Sequence, residues 1–175
     1  MRDLLQVRDG LMLGICNGFQ ALVKLGLVPY GDIVDATADA PTLTFNTIGR
    51  HQSRLVRTRV ASDLSPWLSQ SAVGDVHTVA ISHGEGRFVA GDEALSQLIA
   101  GGQIAMQYVD ENGAPGMRLD VNPNGSVLAI EGITSPDGRV LGKMGHVERR
   151  GTDLYKNVPG DTGLPLFESG VAYFA

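Results

Sequence analysis

The sequence predicts an α/β fold, an open sheet with helices packed on it and antiparallel strands added to its edge. Three observations predict it. Apolar runs of strand length recur along the chain between turns rich in glycine and proline. The first, Leu11-Met12-Leu13-Gly14-Ile15, passes through a glycine-flanked cysteine straight into a helical stretch. A later run, Val76 to Ile81, ends in the polar, glycine-bearing Ser82-His83-Gly84-Glu85-Gly86-Arg87-Phe88. In open α/β sheets that carboxyl edge is where ligands bind. A length of 175 residues suits a single domain over 1–175 with a sizeable core.

Taken in order, Met1 to Gly10 suggests a short helix through Leu4, Leu5 and Val7. Leu11–Ile15 reads as a buried strand, and Phe19 to Leu25 as a helix stopped by Gly26. Leu27–Gly31 reads as a turn, and Asp32 to Pro41 as a loop or short helix. Thr42–Asn46 and Ser53–Val60 alternate with period two, as a pair of antiparallel strands would. Arg50, Arg54, Arg57 and Arg59 then mark an exposed strand edge. Ser65–Leu68 reads as a capped turn that tucks Trp67 under a neighbouring layer, and Gly91–Ala100 as a helix with acids in its first turn. Gln103–Asp110 is a strand and Ala114–Gly125 a loop. Ser126–Ile133 and Arg139–Met144 form a hairpin around Ser135-Pro136-Asp137-Gly138. A helix near Leu164–Phe174 closes the chain.

Composition excludes several classes. Net charge is −5 and the basic residues are scattered, so no nucleic-acid surface is expected. No apolar run approaches the ~20 residues of a membrane helix. The single cysteine cannot form an internal disulfide, which fits a reducing, cytoplasmic setting.

That cysteine carries the chemistry. Gly14-Ile15-Cys16-Asn17-Gly18 between a strand and a helix has the form of a nucleophile elbow, a turn too sharp for bulky neighbours. It sets the sulfur at a helix N-terminus, where the dipole favours thiolate. A lone cysteine is more often a small buried apolar residue, but the flanking glycines weigh against that here. Such a nucleophile needs a base and the base an orienter. His77 lies mid-strand and His51 in a turn, so both read as structural. His83 and His146 each follow a strand and each have an acid two residues on, Glu85 and Glu148. In extended chain i and i+2 face one side, so His83–Glu85 and His146–Glu148 are rivals that spacing alone does not separate. No histidine pair has helical ligand spacing, so no metal is expected.

Gly14-Ile15-Cys16-Asn17-Gly18-Phe19-Gln20 resembles the G-x-C-x-G-x-Q signature of class I (triad-type) glutamine amidotransferases, and His146-x-Glu148 resembles that family's H-x-E. Ser82 to Phe88, Asn122-Pro123-Asn124-Gly125-Ser126 and Gly132 to Val140 resemble the glutaminase portion of phosphoribosylformylglycinamidine synthases. Gly145-His146-Val147-Glu148-Arg149 departs from the usual P-H-P-E-R but keeps His, Glu and Arg. The resemblance runs from Gly10 to the C-terminus. It implies a flavodoxin-like amidotransferase sheet, a nucleophile Cys16, a base His146 and an orienter Glu148. It also implies an oxyanion donor in the Asn17 N–H, and substrate-side or docking roles for Gln20, His83 and Glu85. L-Glutamine would be the substrate. The partner would be a formylglycinamidine synthetase domain or subunit holding ATP and Mg²⁺, with no cofactor in this chain.

Family members carry strands ahead of the elbow and a glycine-rich loop that gives a second oxyanion N–H. The chain is therefore expected to be an N-terminally truncated form, weak as a glutaminase, with an exposed sheet edge open to self-association. Two other readings stay open: a non-catalytic docking remnant of the same domain, and a cysteine hydrolase or peptidase of the same fold.

Overall fold

The computed structural model describes residues 1–151 and 154–175. After a helical turn over Asp3–Val7, β1 (Met12–Ile15) leads through Cys16 into α1 (Asn17–Leu25). Phe19, Leu22 and Val23 recur at helical spacing and are the residues α1 buries. Gly26, at φ 80°, ends the helix by returning its N–H to the Val23 carbonyl. Then follow α2 (Leu27–Tyr30), β2 (Thr42–Thr44), β3 (Gln52–Val60), β4 (Val76–His83) and β5 (Arg87–Val89). The chain continues with α3 (Asp92–Ala100), β6 (Ile104–Tyr108), β7 (Ile130–Thr134), β8 (Val140–Lys143) and α4 (Leu166–Ala172). Among the described residues no helix is long and apolar enough to cross a membrane.

Six strands form one sheet in the order β1-β8-β7-β6-β3-β4, and β2 pairs with β5 in a second, two-stranded sheet. Only β1 and β8 run parallel; every other pair is antiparallel. The large sheet curls until its ends meet: the His146 N–H, just past β8, donates to the Ala80 carbonyl of β4 at 2.8 Å. Alternate residues of β8 feed two cores. Val140 packs with Phe19, Leu22, Leu27, Phe88 and Ile133 beneath α1, whereas Leu141 packs with Val79, Ile81, Met106, Tyr108 and Val147 inside the curl. Phe19 and Phe88 stack at 6.4 Å, joining α1 to the small sheet.

The α/β class stands, while several local expectations change. β2 does not pair with β3. At three residues it pairs with β5, which follows β4 after the 84–86 turn, while nine-residue β3 is long enough to hold β4 along most of its length and β6 at its end. Arg54, Arg57 and Arg59 thus lie on an interior strand rather than an edge. Leu27–Gly31 turns as expected, since Val28 is extended at φ −124°, ψ 132° and breaks the short α2 from within. The strand expected from Ser126 starts only at Ile130, because Asn122 Oδ1 captures the Ser126 N–H at 3.0 Å and the chain turns through 127–129. The capped turn at Ser65 is present, its hydroxyl accepting the Trp67 N–H at 3.3 Å.

Candidate active site

The elbow is strained. Cys16 sits at φ 53°, ψ −108°, a conformation that non-glycine residues seldom adopt. Its N–H extends the β1–β8 ladder to the Lys143 carbonyl at 2.8 Å, and its carbonyl accepts the Gln20 N–H at 3.2 Å as α1 begins. Held at both ends, the half-buried side chain points toward β4, with Sγ 3.8 Å from the Ser82 carbonyl. Burial pushes the thiol pKa above its ordinary value, and the carboxylate of Glu148 adds to the rise; the Asn17 N–H and the charge of Arg149 oppose it. Against the expected pull of the helix terminus toward thiolate, the largest cause acting on this thiol is its desolvation.

His146 is fixed from both sides. Its backbone is bridged to Ala80, and its Nδ1 lies 2.5 Å from Glu148 Oε1. A carboxylate can only accept, so Nδ1 carries the proton, and in the neutral ring Nε2 presents a lone pair. Nε2 is buried and has no partner, while the Glu148 side chain is 40% exposed. Arg149 Nε lies 3.8 Å from the same carboxylate oxygen. No hydrogen bond between Cys16 and His146 occurs among the described residues; both stand at one end of the sheet, tied to β4 at Ser82 and Ala80.

The rival pair is built differently. His83 is 4% exposed, and its Nδ1 meets Asn46 Oδ1 at 3.2 Å rather than Glu85. Burial lowers its pKa to about 4, with His51 and His146 pushing the same way. Gly86 lies flat on the ring: a Cβ there would fall 2.2 Å from His83 Cε1. Glu85 is exposed, and its carbonyl accepts Gln20 Nε2 at 2.6 Å, so the structure joins Gln20 to Glu85 and parts Glu85 from His83. Asn17 is exposed on the first turn of α1. His51 reaches Ser82 Oγ at 3.1 Å. His77 is buried, and its Nδ1 is 3.2 Å from Asp161 Oδ2 without the alignment of a hydrogen bond.

Sequence reasoning missed two groups of residues. Asn46 donates to the His83 carbonyl at 2.8 Å and accepts the Gly86 N–H at 3.1 Å, and Asn124 donates to the Gly86 carbonyl at 2.6 Å. Together they fix the 83–86 turn. Glu131 and Lys143 form an ion pair at 3.0 Å with both side chains fully buried. Opposite charges in two otherwise apolar hairpin strands were the signal available. A cleft of about 650 Å³, lined by Arg54, Arg57, Asp110 and Arg118, holds none of Cys16, His146 or Glu148. Among the described residues no three His, Cys, Asp or Glu side chains gather as a metal site.

A family model described as a CobB/CobQ-like glutamine amidotransferase domain matches residues 1–174. The chain is 38% identical over 168 residues to the phosphoribosylformylglycinamidine synthase subunit PurQ of Synechococcus sp. (strain JA-2-3B'a(2-13)), covering 96% of this chain and 64% of that protein. It is 35% identical over 171 residues to the subunit of the same name from Salinibacter ruber, covering 97% of this chain and 66% of that one. It thus spans just under two thirds of these relatives. Its fold is similar to a chain in the structure of PurLQS from Thermotoga maritima, with a TM-score of 0.69, 26% identity and coverage of 98% of this chain and 66% of that one. The chain belongs to the CobB/CobQ-like glutamine amidotransferase family.

Proposed function

We propose that this chain carries the glutamine-hydrolysing centre of a phosphoribosylformylglycinamidine synthase, working through Cys16, His146 and Glu148. One observation supports the reading above others: Glu148 occupies Nδ1 of His146 and leaves a buried, unpartnered Nε2 at the sheet end that carries the strained Cys16. In the proposed reaction Nε2 takes the thiol proton as sulfur attacks the side-chain carboxamide of glutamine. The C–N bond breaks, ammonia leaves with that proton, and a glutamyl thioester remains. Water, deprotonated by the same nitrogen, cleaves the thioester to glutamate and restores the thiol. Glu148 holds the tautomer and stabilises the transient imidazolium. The Asn17 N–H serves the oxyanion. Gln20, through its bond to Glu85, and the His83 turn behind it would shape the substrate's rim.

The ammonia would pass to a synthetase domain or subunit that binds ATP and Mg²⁺, with no cofactor held here, in a cytoplasmic setting. Self-association would use the free edge of β1. The test is glutamate release from glutamine by the purified chain beside Cys16→Ala. Release that disappears in the variant is expected; equal release from both would overturn the proposal. The orientation of the thiol toward Ser82 favours a second reading, a non-catalytic docking module. Alkylation of Cys16 no faster than a peptide thiol would support that one.

A further inference from the structure

The Glu131–Lys143 pair sits directly beneath the candidate site. β7–β8 bonding ends with the Met144 N–H on the Glu131 carbonyl at 3.1 Å, and beyond it the chain bends toward β4. Gly145 lies in that bend, where its buried backbone groups have left the ladder and need other partners. The ion pair supplies both. Its N–H donates to Glu131 Oε1 at 2.5 Å, and its carbonyl accepts Lys143 Nζ at 2.8 Å. The fit is close, since a Cβ at 145 would fall 2.8 Å from Glu131 Oε1 and 2.6 Å from Val79 Cγ2. The next residue is His146. At the other end of the same short segment, the Lys143 carbonyl holds the Cys16 N–H at 2.8 Å.

Lys143 therefore touches the nucleophile through its backbone and the peptide before the base through its side chain. Two buried charges bring little net stability over apolar residues of similar size, so their use here is directional. We propose that Glu131 and Lys143 are positioning residues that set His146 in register with Cys16. The inference rests on the triad reading above. The clamp fixes where β8 releases the chain and so where Nε2 comes to lie. Loss of the clamp leaves β1 and the elbow intact and lets the 144–146 bend drift.

The test uses the whole 175-residue chain and the rate of Cys16 alkylation by iodoacetamide from pH 5 to 9. Wild type is expected to react about tenfold or more faster near neutrality than His146→Ala, as a positioned base requires. The double variant E131L/K143M removes both charges together and leaves no lone buried ion. It should melt cooperatively yet react within about twofold of His146→Ala, with the same pH profile. A double variant that keeps the wild-type rate and profile would overturn the inference. Wild type matching His146→Ala would instead overturn the triad and this inference with it, a result of a different form. Should E131L/K143M not fold, E131Q/K143M keeps an acceptor for the Gly145 N–H and carries the same comparison. A fall of about threefold or more is expected of it, and an unchanged rate would overturn the clamp.

Discussion

Two segments of this chain share one pattern, a histidine at or just past the end of a strand with a glutamate two residues on. His146 and His83 nonetheless end in opposite environments. His146 meets its glutamate at 2.5 Å, and both histidines keep a buried Nε2 without a partner among the described residues. His83 turns inward to Asn46, while Glu85 faces solvent and gives only its carbonyl to Gln20. The i, i+2 spacing allows an imidazole–carboxylate pair but does not select it. The selection is made by what else can bond the ring. Asn46 carries both a donor and an acceptor and satisfies the backbone of the His83 turn as well as the ring, so a glutamate with water available has no advantage there.

The comparison can be broken most forcefully at Asn46. Asn46→Ala removes the partners of the buried Gly86 N–H and His83 carbonyl together, a loss of about 3 kcal/mol in urea unfolding at pH 7.5. A change below about 1 kcal/mol would show that the knot is not what holds His83 inward. At the other segment, Glu148→Gln leaves the ring contact possible but no longer dictates the tautomer. Cysteine-dependent glutamate release should fall about 100-fold, equivalent to about 2.7 kcal/mol, with the melting temperature nearly unchanged because Glu148 is part-exposed. An undiminished rate would remove Glu148 from the triad.

A third experiment sharpens the contrast by pH. The folded pKa of His83 lies at about 4, below its ordinary value near 6.5. The unfolded chain therefore binds the extra proton in that interval, and stability is complete above about 6.5 and declines toward 4. The size is of order 2–3 kcal/mol. His77, also lowered by burial, acts in the same direction, so the slope attributable to His83 is the part that His83→Gln abolishes. A pH dependence identical in wild type and His83→Gln would mean that His83 is not the buried neutral ring described.

Much of the fold was legible because its signals are local. Period-two alternation located β2 and β3, an apolar run located β4, and Ser135-Pro136-Asp137-Gly138 located the β7–β8 hairpin. Pairing was less legible, since nothing in Thr42–Thr44 says that its partner is Arg87–Val89 rather than the longer β3. The elbow was readable from its two glycines. The choice between the two histidines rested on resemblance, because the deciding residue, Asn46, lies 37 residues from His83 in sequence. Asn122 and Ser126 were visible as a motif, but their role is to hold the chain out of a strand. Glu131 and Lys143 are fully buried, and no local pattern in the two hairpin strands shows that burial.

β1 has a further consequence. Its N–H groups at Met12 and Cys16 point to β8, and in a parallel ladder bonding alternates, so Leu13 and Ile15 turn theirs the other way. Among the described residues that rim has no strand on it, and all but one of the β1 residues are only partly covered. The strand bearing the nucleophile is thus fastened along one side, like a tile at the end of a row. An extended segment laid along Leu13 and Ile15 would find a ready hydrogen-bonding template. It would also stiffen, through the backbone alone, the strand whose last peptide sets the angle of Cys16.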